Sequence, residues 1–272
     1  MLLDASKPVH IKGPPYKEVS RYQFPKQLFA SWALFGARWS ELEGIPLSQA
    51  LRHKTGAYYS LSYNEPDQIW HDPYWERMTT KLDNAETLGE VTNSLWRRYI
   101  HTPLSRFNTN HYRKENGNYG GFSFRSKNKQ NISIHFTNAK RGLLSTLSPY
   151  YFEETINNLE QMFEKIKKNF PEAKYVNGES WLYNLTNYRN LLPPNYTANM
   201  KVIIPNDGNI YLESLWGQFI DRYGQGRMRV IREFEENVRK SRSTDELLHS
   251  FPYPIIQTQD KIENFYKFYG IE

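Results

Sequence analysis

Cysteine is absent from all 272 residues, which excludes disulfides, iron–sulfur clusters, thiol nucleophiles and cysteine zinc sites. The seven histidines include no His-x-x-x-His spacing and no Glu-flanked pair, so no metal site is expected. No apolar run approaches the roughly 20 residues that cross a bilayer. The opening Met1-Leu-Leu-Asp-Ala-Ser-Lys7 lacks the basic-then-apolar layout of a signal peptide. A soluble, cytoplasmic protein is the expectation, and the glycosylation-like triplets at Asn131, Asn184 and Asn195 then carry no weight. Internal repeats and low-complexity tracts are also lacking.

Aromatic residues, by contrast, are plentiful: 15% of the chain, with 20 Tyr and 7 Trp. A Tyr-rich core explains them, and an aromatic-lined cleft is the alternative. The net charge of +6 and pI near 9.2 mildly favour acidic partners. The densest basic stretches are Arg125–Lys129, Arg227–Arg232 and Arg239–Arg242. The first reads as a hairpin turn, and the others share a helix with Glu233, Glu235 and Glu236. These are solvated faces, and nucleic acid is not the expected partner.

Hydrophobic spacing gives an α+β protein in two parts. Residues 1–112 read as a mainly helical region, packed on a mixed domain of residues 113–272 with a small, largely antiparallel sheet. The first part opens with an extended, Pro-bearing arm over about 20 residues. Helical spacing follows at Gln27–Trp39, Pro46–His53 and Asn84–Ile100, the last stopped by Pro103. Tyr58–Tyr63 reads as strand-like. In the second part Phe122-Ser-Phe124 and Ile132-Ser-Ile-His-Phe136 alternate strictly around a polar turn, which predicts a half-buried hairpin with His135 facing away from the core. Ser148 and Pro149 open a helix running to Asn169, with Phe152, Ile156, Leu159, Phe163 and Ile166 as its apolar stripe. Ala173–Val176 predicts a short strand, Gly178–Asn184 a sharp turn, and Trp181–Leu192 a helix closed by Pro193-Pro194. Trp181 is expected to be a buried anchor. Lys201–Ile204 predicts a strand; Leu212–Ile220, Arg227–Lys240, Thr244–Ser250 and Asp260–Tyr269 predict helices.

Three places could carry chemistry. His135, near a strand end, suits a general base or a polar anchor, and a packed, hydrogen-bonded histidine is the bland alternative. Gly178-Glu179-Ser180-Trp181-Leu182 is a damaged Gly-x-Ser-x-Gly elbow, with Leu182 where the second glycine belongs. Asp245 and His249 follow in hydrolase order, while a cap at the helix start by Ser180 or Glu179 is the competing reading. Tyr223-Gly-Gln-Gly-Arg-Met228 precedes an Arg-rich helix, where glycine-bearing amides could cradle pyrophosphate or simply turn the chain.

Over residues 117–205 the order of these pieces resembles the C-terminal part of bacterial GNAT-like acyltransferase-domain proteins. The matching residues are Ile132-Ser-Ile-His135-Phe, the Ser148-Pro149-led helix, Phe170-Pro171-Glu172, Ser180-Trp181-Leu182 and Leu191-Leu192-Pro193-Pro194. The family's strand ends His-Ile-Pro where this chain has His135-Phe136-Thr137. The acyltransferase loop Gln/Arg-x-x-Gly-x-Gly/Ala is echoed by Tyr223–Met228. The resemblance implies transfer of an acyl group from a coenzyme A thioester to an amine or similar small-molecule acceptor. His135 or Glu179 would take the acceptor's proton; Gly224, Gly226, Arg227 and Arg229 would hold the pyrophosphate. A non-catalytic binding or scaffold protein on the same fold is the main alternative, and a serine hydrolase using Ser180 the lesser one.

Overall fold

The computed structural model describes residues 24–61, 72–101, 118–138, 144–204, 213–221 and 223–272. The expected N-terminal arm and the helix stop at Pro103 lie outside them. The chain divides into two compact units: residues 1–107 with 204–252, and residues 108–203 with 253–272. This differs from a single boundary at 112/113, because residues 204–252 belong with the first unit.

Aromatic burial accounts for that return. In the first unit α1 (Lys26–Glu43) buries Leu28, Trp32, Phe35 and Trp39, a spacing of four, three and four that keeps them on one face. Trp216, Phe234 and Phe251, all from the returning segment, ring Phe35 with centroids 5.6, 6.0 and 5.6 Å away. The α1 helix also packs on α2 (Leu47–Lys54) and α5 (Leu88–Ile100). Thr87 caps α5 by accepting a bond from the Glu90 amide at 3.2 Å.

The strand expected at Tyr58–Tyr63 is instead helix α3 (Ala57–Leu61), as far as the described residues extend. Ala57 and Leu61, one helical turn apart, are both buried, and Thr55 Oγ1 accepts a bond from the Ala57 amide. The α4 helix (Pro73–Asp83) is unanticipated, although Asp72 at its N-cap and Pro73 at its first position are ordinary start signals. After α4 and α5 the first unit resumes with α9 (Glu213–Trp216), α10 (Met228–Lys240) and α11 (Thr244–Leu248).

The second unit is a five-stranded mixed sheet with helices packed on one face. Its strands are β1 (Phe122–Asn128), β2 (Asn131–Phe136), β3 (Tyr175–Ser180), β4 (Lys201–Ile203) and β5 (Ile255–Lys261), in the order β1-β2-β3-β5-β4. Only β2–β3 is a parallel pair; β1–β2, β3–β5 and β4–β5 are antiparallel. The hairpin has the expected register, Phe122 opposite Phe136 and Phe124 opposite Ile134. Phe122, Phe124, Ile132, Ile134 and Val176 face a core built with α6 (Phe152–Asn169) and α12 (Ile262–Tyr269). Two short helices, α7 (Thr186–Arg189) and α8 (Pro194–Ala198), contribute Tyr188 and Tyr196 to it. Ser148 caps the 3-10 turn Pro149–Tyr151 that leads into α6. Leu159, Phe163 and Ile166 of the expected stripe are buried, but Phe152 is 41% exposed.

Three expectations change here. The β3 strand runs straight through Gly178 to Ser180, so the sharp turn comes later, as a 3-10 turn at Trp181–Asn184. The helix expected over Trp181–Leu192 is therefore broken into that turn and α7. Residues 255–261, whose end is expected from sequence to begin a helix at Asp260, form strand β5.

Candidate functional site

Alternation along a strand decides what the sheet shows on its other face. Opposite the helical layer it presents Ser123 and Arg125 from β1, Asn131, Ser133 and His135 from β2, and Asn177 and Glu179 from β3. Gln257 and Gln259 of β5 and Lys201 of β4 continue the same face. Registered rows cross it: Arg125, Ser133, Asn177 and Gln259 lie in one, and Glu179, Gln257 and Lys201 in another. Two residues beyond the Ser133–Asn177 pair, along each strand, stand His135 and Glu179, both exposed.

A ladder of side-chain amides ties the strands together. Gln259 Nε2 donates to Asn177 Oδ1 at 2.7 Å, Asn177 Nδ2 to Asn131 Oδ1 at 3.1 Å, and Asn131 Nδ2 to Asn128 Oδ1 at 2.9 Å. Each bond fixes the orientation of the next amide and leaves spare donor or acceptor capacity. Beside the ladder the Ser133 hydroxyl is buried, and among the described residues it has no hydrogen-bond partner.

Of the residues singled out in the sequence, His135 and Glu179 thus share one exposed face. Ser180 does something else: its Oγ accepts a bond from the Leu182 amide at 3.1 Å, capping the 3-10 turn. The capping reading is the one seen. Trp181 is half-buried rather than buried, tilted 30° against the ring of Tyr253 at 5.8 Å. His249 Nδ1 lies 2.8 Å from the backbone oxygen of Asp245 and 3.9 Å from its Oδ2. Both belong to the first unit and Ser180 to the second.

Gly178 has a structural task. It faces inward, and a β-carbon there would stand 1.7 Å from the Tyr183 hydroxyl and 2.1 Å from that of Tyr196. Those hydroxyls bond each other at 2.7 Å. Burial raises the pKa of Tyr183, Tyr188, Tyr196 and Tyr269 well above the ordinary tyrosine value. These four phenols are neutral core groups.

The glycine loop of the first unit is filled by its own carboxylate. Asp221 Oδ1 accepts from the amides of Tyr223 and Gln225, each at 2.8 Å. The Gly224 amide donates to Asp221 O and the Arg227 amide to Phe219 O. Gly224 takes φ 78° to close this turn. Gly226 is in close contact, since a β-carbon there would lie 3.1 Å from Ile231 Cδ1. Arg227 Nη1 donates to Gln218 O at 3.0 Å, whereas Arg229 is exposed. Four amides of this loop (Tyr223, Gly224, Gln225 and Arg227) already have acceptors and the Asp221 carboxylate lies against it, which leaves poor room for a pyrophosphate. What remains for an anion is Arg229 and the first turn of α10, which has no side-chain cap.

The amide ladder is the part of this face that sequence reasoning does not reach. Its only signal is a set of single Asn and Gln residues spread over segments that do not all carry a strand pattern. Among the described residues no group of three or more His, Asp or Glu side chains could hold a metal, and no helix is long and apolar enough to cross a membrane. Comparison of the chain with family models, curated proteins and solved structures finds no match. The acyltransferase resemblance rests on the quoted residues alone.

Proposed function

We propose that the chain is a binding protein that takes a polar ligand on the outer face of the sheet in its second unit. The observation that carries this reading is the amide ladder Gln259–Asn177–Asn131, half-buried at Asn177 and Asn131 and exposed at Gln259, flanked by Glu179 and His135. Side chains already held in register lose little entropy on binding, so a flat, hydrogen-bonding ligand would meet a preorganised surface. Glu179 and Lys201, in one row and of opposite charge, would fix its orientation. The expected measurement is a thermal-shift screen of nucleotides, acyl-CoAs and oligosaccharides, followed by calorimetry of each hit. Asn177→Ala should weaken a hit by about tenfold, the loss of one or two well-placed hydrogen bonds. Hits indifferent to both Asn177→Ala and Glu179→Gln, or no hits at all, would sink the reading.

Acyl transfer to an amine is the second reading. One observation favours it: His135 and Glu179, two groups able to accept a proton, project from neighbouring strands on the same face. Its donor would be a coenzyme A thioester, for which the Asp221-filled loop offers no cradle. Turnover of acetyl-CoA with an amine acceptor, measured in wild type and in His135→Ala and Glu179→Gln variants, separates the readings. Acyl transfer that is lost in both variants supports this one, and absence of turnover with every acyl-CoA leaves the binding reading alone.

A further inference from the structure

The second unit holds a groove of about 480 Å³, between the stretch 146–153 that opens α6 and the stretch 187–191 around the end of α7. That volume lies within the range of small-molecule sites, roughly 300–1,000 Å³. Two aromatic rings stand at it unusually exposed, Tyr150 at 77% and Phe152 at 41%. Phe152 belongs by spacing to the core stripe of α6, yet it turns to solvent. The lining also includes three polar side chains, Glu153, Asn187 and Asn190, and among the described residues no hydrogen bond or ion pair engages any of them. Asn187 lies in α7 and Asn190, three residues on, is its C-cap.

The charge at the groove selects the ligand. Glu153 is the only ionisable side chain with charge at neutral pH among its described lining residues. The positive end of α6 is offset by Glu153 and Glu154 in its first turn, and the leading 3-10 turn is already capped by Ser148. The Glu153 carboxylate at the groove disfavours phosphates and carboxylates beside it. A protonated amine is favoured twice, by the Glu153 carboxylate and by the electron-rich face of Tyr150. Leu147, Pro149 and Leu191 add apolar surface to the lining, which suits a hydrocarbon body.

We infer that this groove binds a small organic cation: a primary amine carrying an aromatic or similarly flat apolar group. Glu153 pairs the ammonium, Tyr150 and Phe152 cover the ring, and Asn187 and Asn190 fix its polar substituents. This site is distinct from the sheet face and does not depend on that reading.

The test is chemical-shift titration of the full chain with phenethylamine and tryptamine, beside neutral N-acetylphenethylamine and anionic phenylacetate. The amines should saturate with shifts concentrated in residues 146–153 and 187–191, and the neutral and anionic analogues should bind more weakly in that order. Glu153→Gln, an exposed change that should lower the melting temperature only slightly through the lost helix-dipole interaction, is expected to weaken the amines about fivefold. Tyr150→Ala should weaken them by a similar factor, roughly threefold to fivefold. Asn177→Ala on the sheet face should change nothing here, which keeps the two sites separable. Equal binding of phenylacetate, indifference to Glu153→Gln, shifts centred elsewhere, or no saturation with either amine would each overturn the assignment.

Discussion

At the scale of single residues, the second unit turns on a glycine. Gly178 sits at the middle of β3, where a sheet core normally places a branched side chain, and it leaves that space to two tyrosine hydroxyls. Gly178→Ala must push the Tyr183 and Tyr196 hydroxyls apart, because the added carbon would stand 1.7 and 2.1 Å from them. Overpacking of a tight core costs about 1–3 kcal/mol, and the separated hydroxyls add the penalty of buried, unpaired donors, about 1–3 kcal/mol more. Urea unfolding of Gly178→Ala should show the loss as a lower midpoint with an unchanged slope. A neutral substitution would mean that the hydroxyl pair moves freely and does not hold the corner. Ser180 illustrates the opposite outcome: a residue with the right neighbours for nucleophilic chemistry spends its oxygen on a local amide.

At the scale of elements, four tyrosines join what the strands cannot. Tyr183 comes from the 3-10 turn after β3, Tyr188 from α7, Tyr196 from α8 and Tyr269 from α12. Tyr269 also donates to Leu191 O at 2.7 Å. Burial raises the pKa of all four in the folded state above the ordinary 10.0. Below that value both folded and unfolded chains keep the protons, and the cluster's contribution is fully present. Above it the unfolded chain loses protons that the folded chain retains, so stability falls as pH rises. Alkaline unfolding followed by circular dichroism should therefore begin above about pH 10, with the last part of the tyrosinate absorbance, that of the buried phenols, appearing together with the loss of ellipticity. Tyrosinate that forms in full while the ellipticity is still native would place the phenols at the surface.

The same cluster explains which elements are legible in the sequence. The β1–β2 hairpin shows on its core face a run of Phe and Ile that alternation reveals directly, and α1, α5, α6 and α10 carry plain helical stripes. In β3 and β5 the central inward positions are Gly178 and its partner Thr258, because the tyrosines fill the space above them. Thr258 Oγ1 even donates to Tyr196 O at 2.5 Å. Without inward bulk there is no alternation, so the sequence pattern hides β5 and shortens β3. The candidate site is half legible for a related reason. His135 can be placed because its strand alternates, whereas the Asn177 and Gln259 rungs stand on the strands that do not.

At the scale of the whole molecule, the chain builds two hydrophobic centres and passes between them more than once. Residues 204–252 leave the second unit, complete the aromatic cluster of the first, and return so that residues 253–272 can supply β5 and α12. Phe234 lies at the middle of the first cluster, with Phe219 4.8 Å, Phe251 4.9 Å and Trp216 5.7 Å from its ring. Removing such a ring costs about 3–5 kcal/mol, which is a large share of a domain's stability. Cooperative units that open separately should divide that loss unequally. Phe234→Ala is thus expected to lower hydrogen-exchange protection in α1 and α10 strongly, while amides of β2 and β3 keep most of theirs. Equal loss in both sets would show that the three crossings of the chain bind the units into one cooperative fold. Ligand binding on the sheet face would then be sensitive to core substitutions in the first unit; in the expected case Phe234→Ala leaves that binding intact.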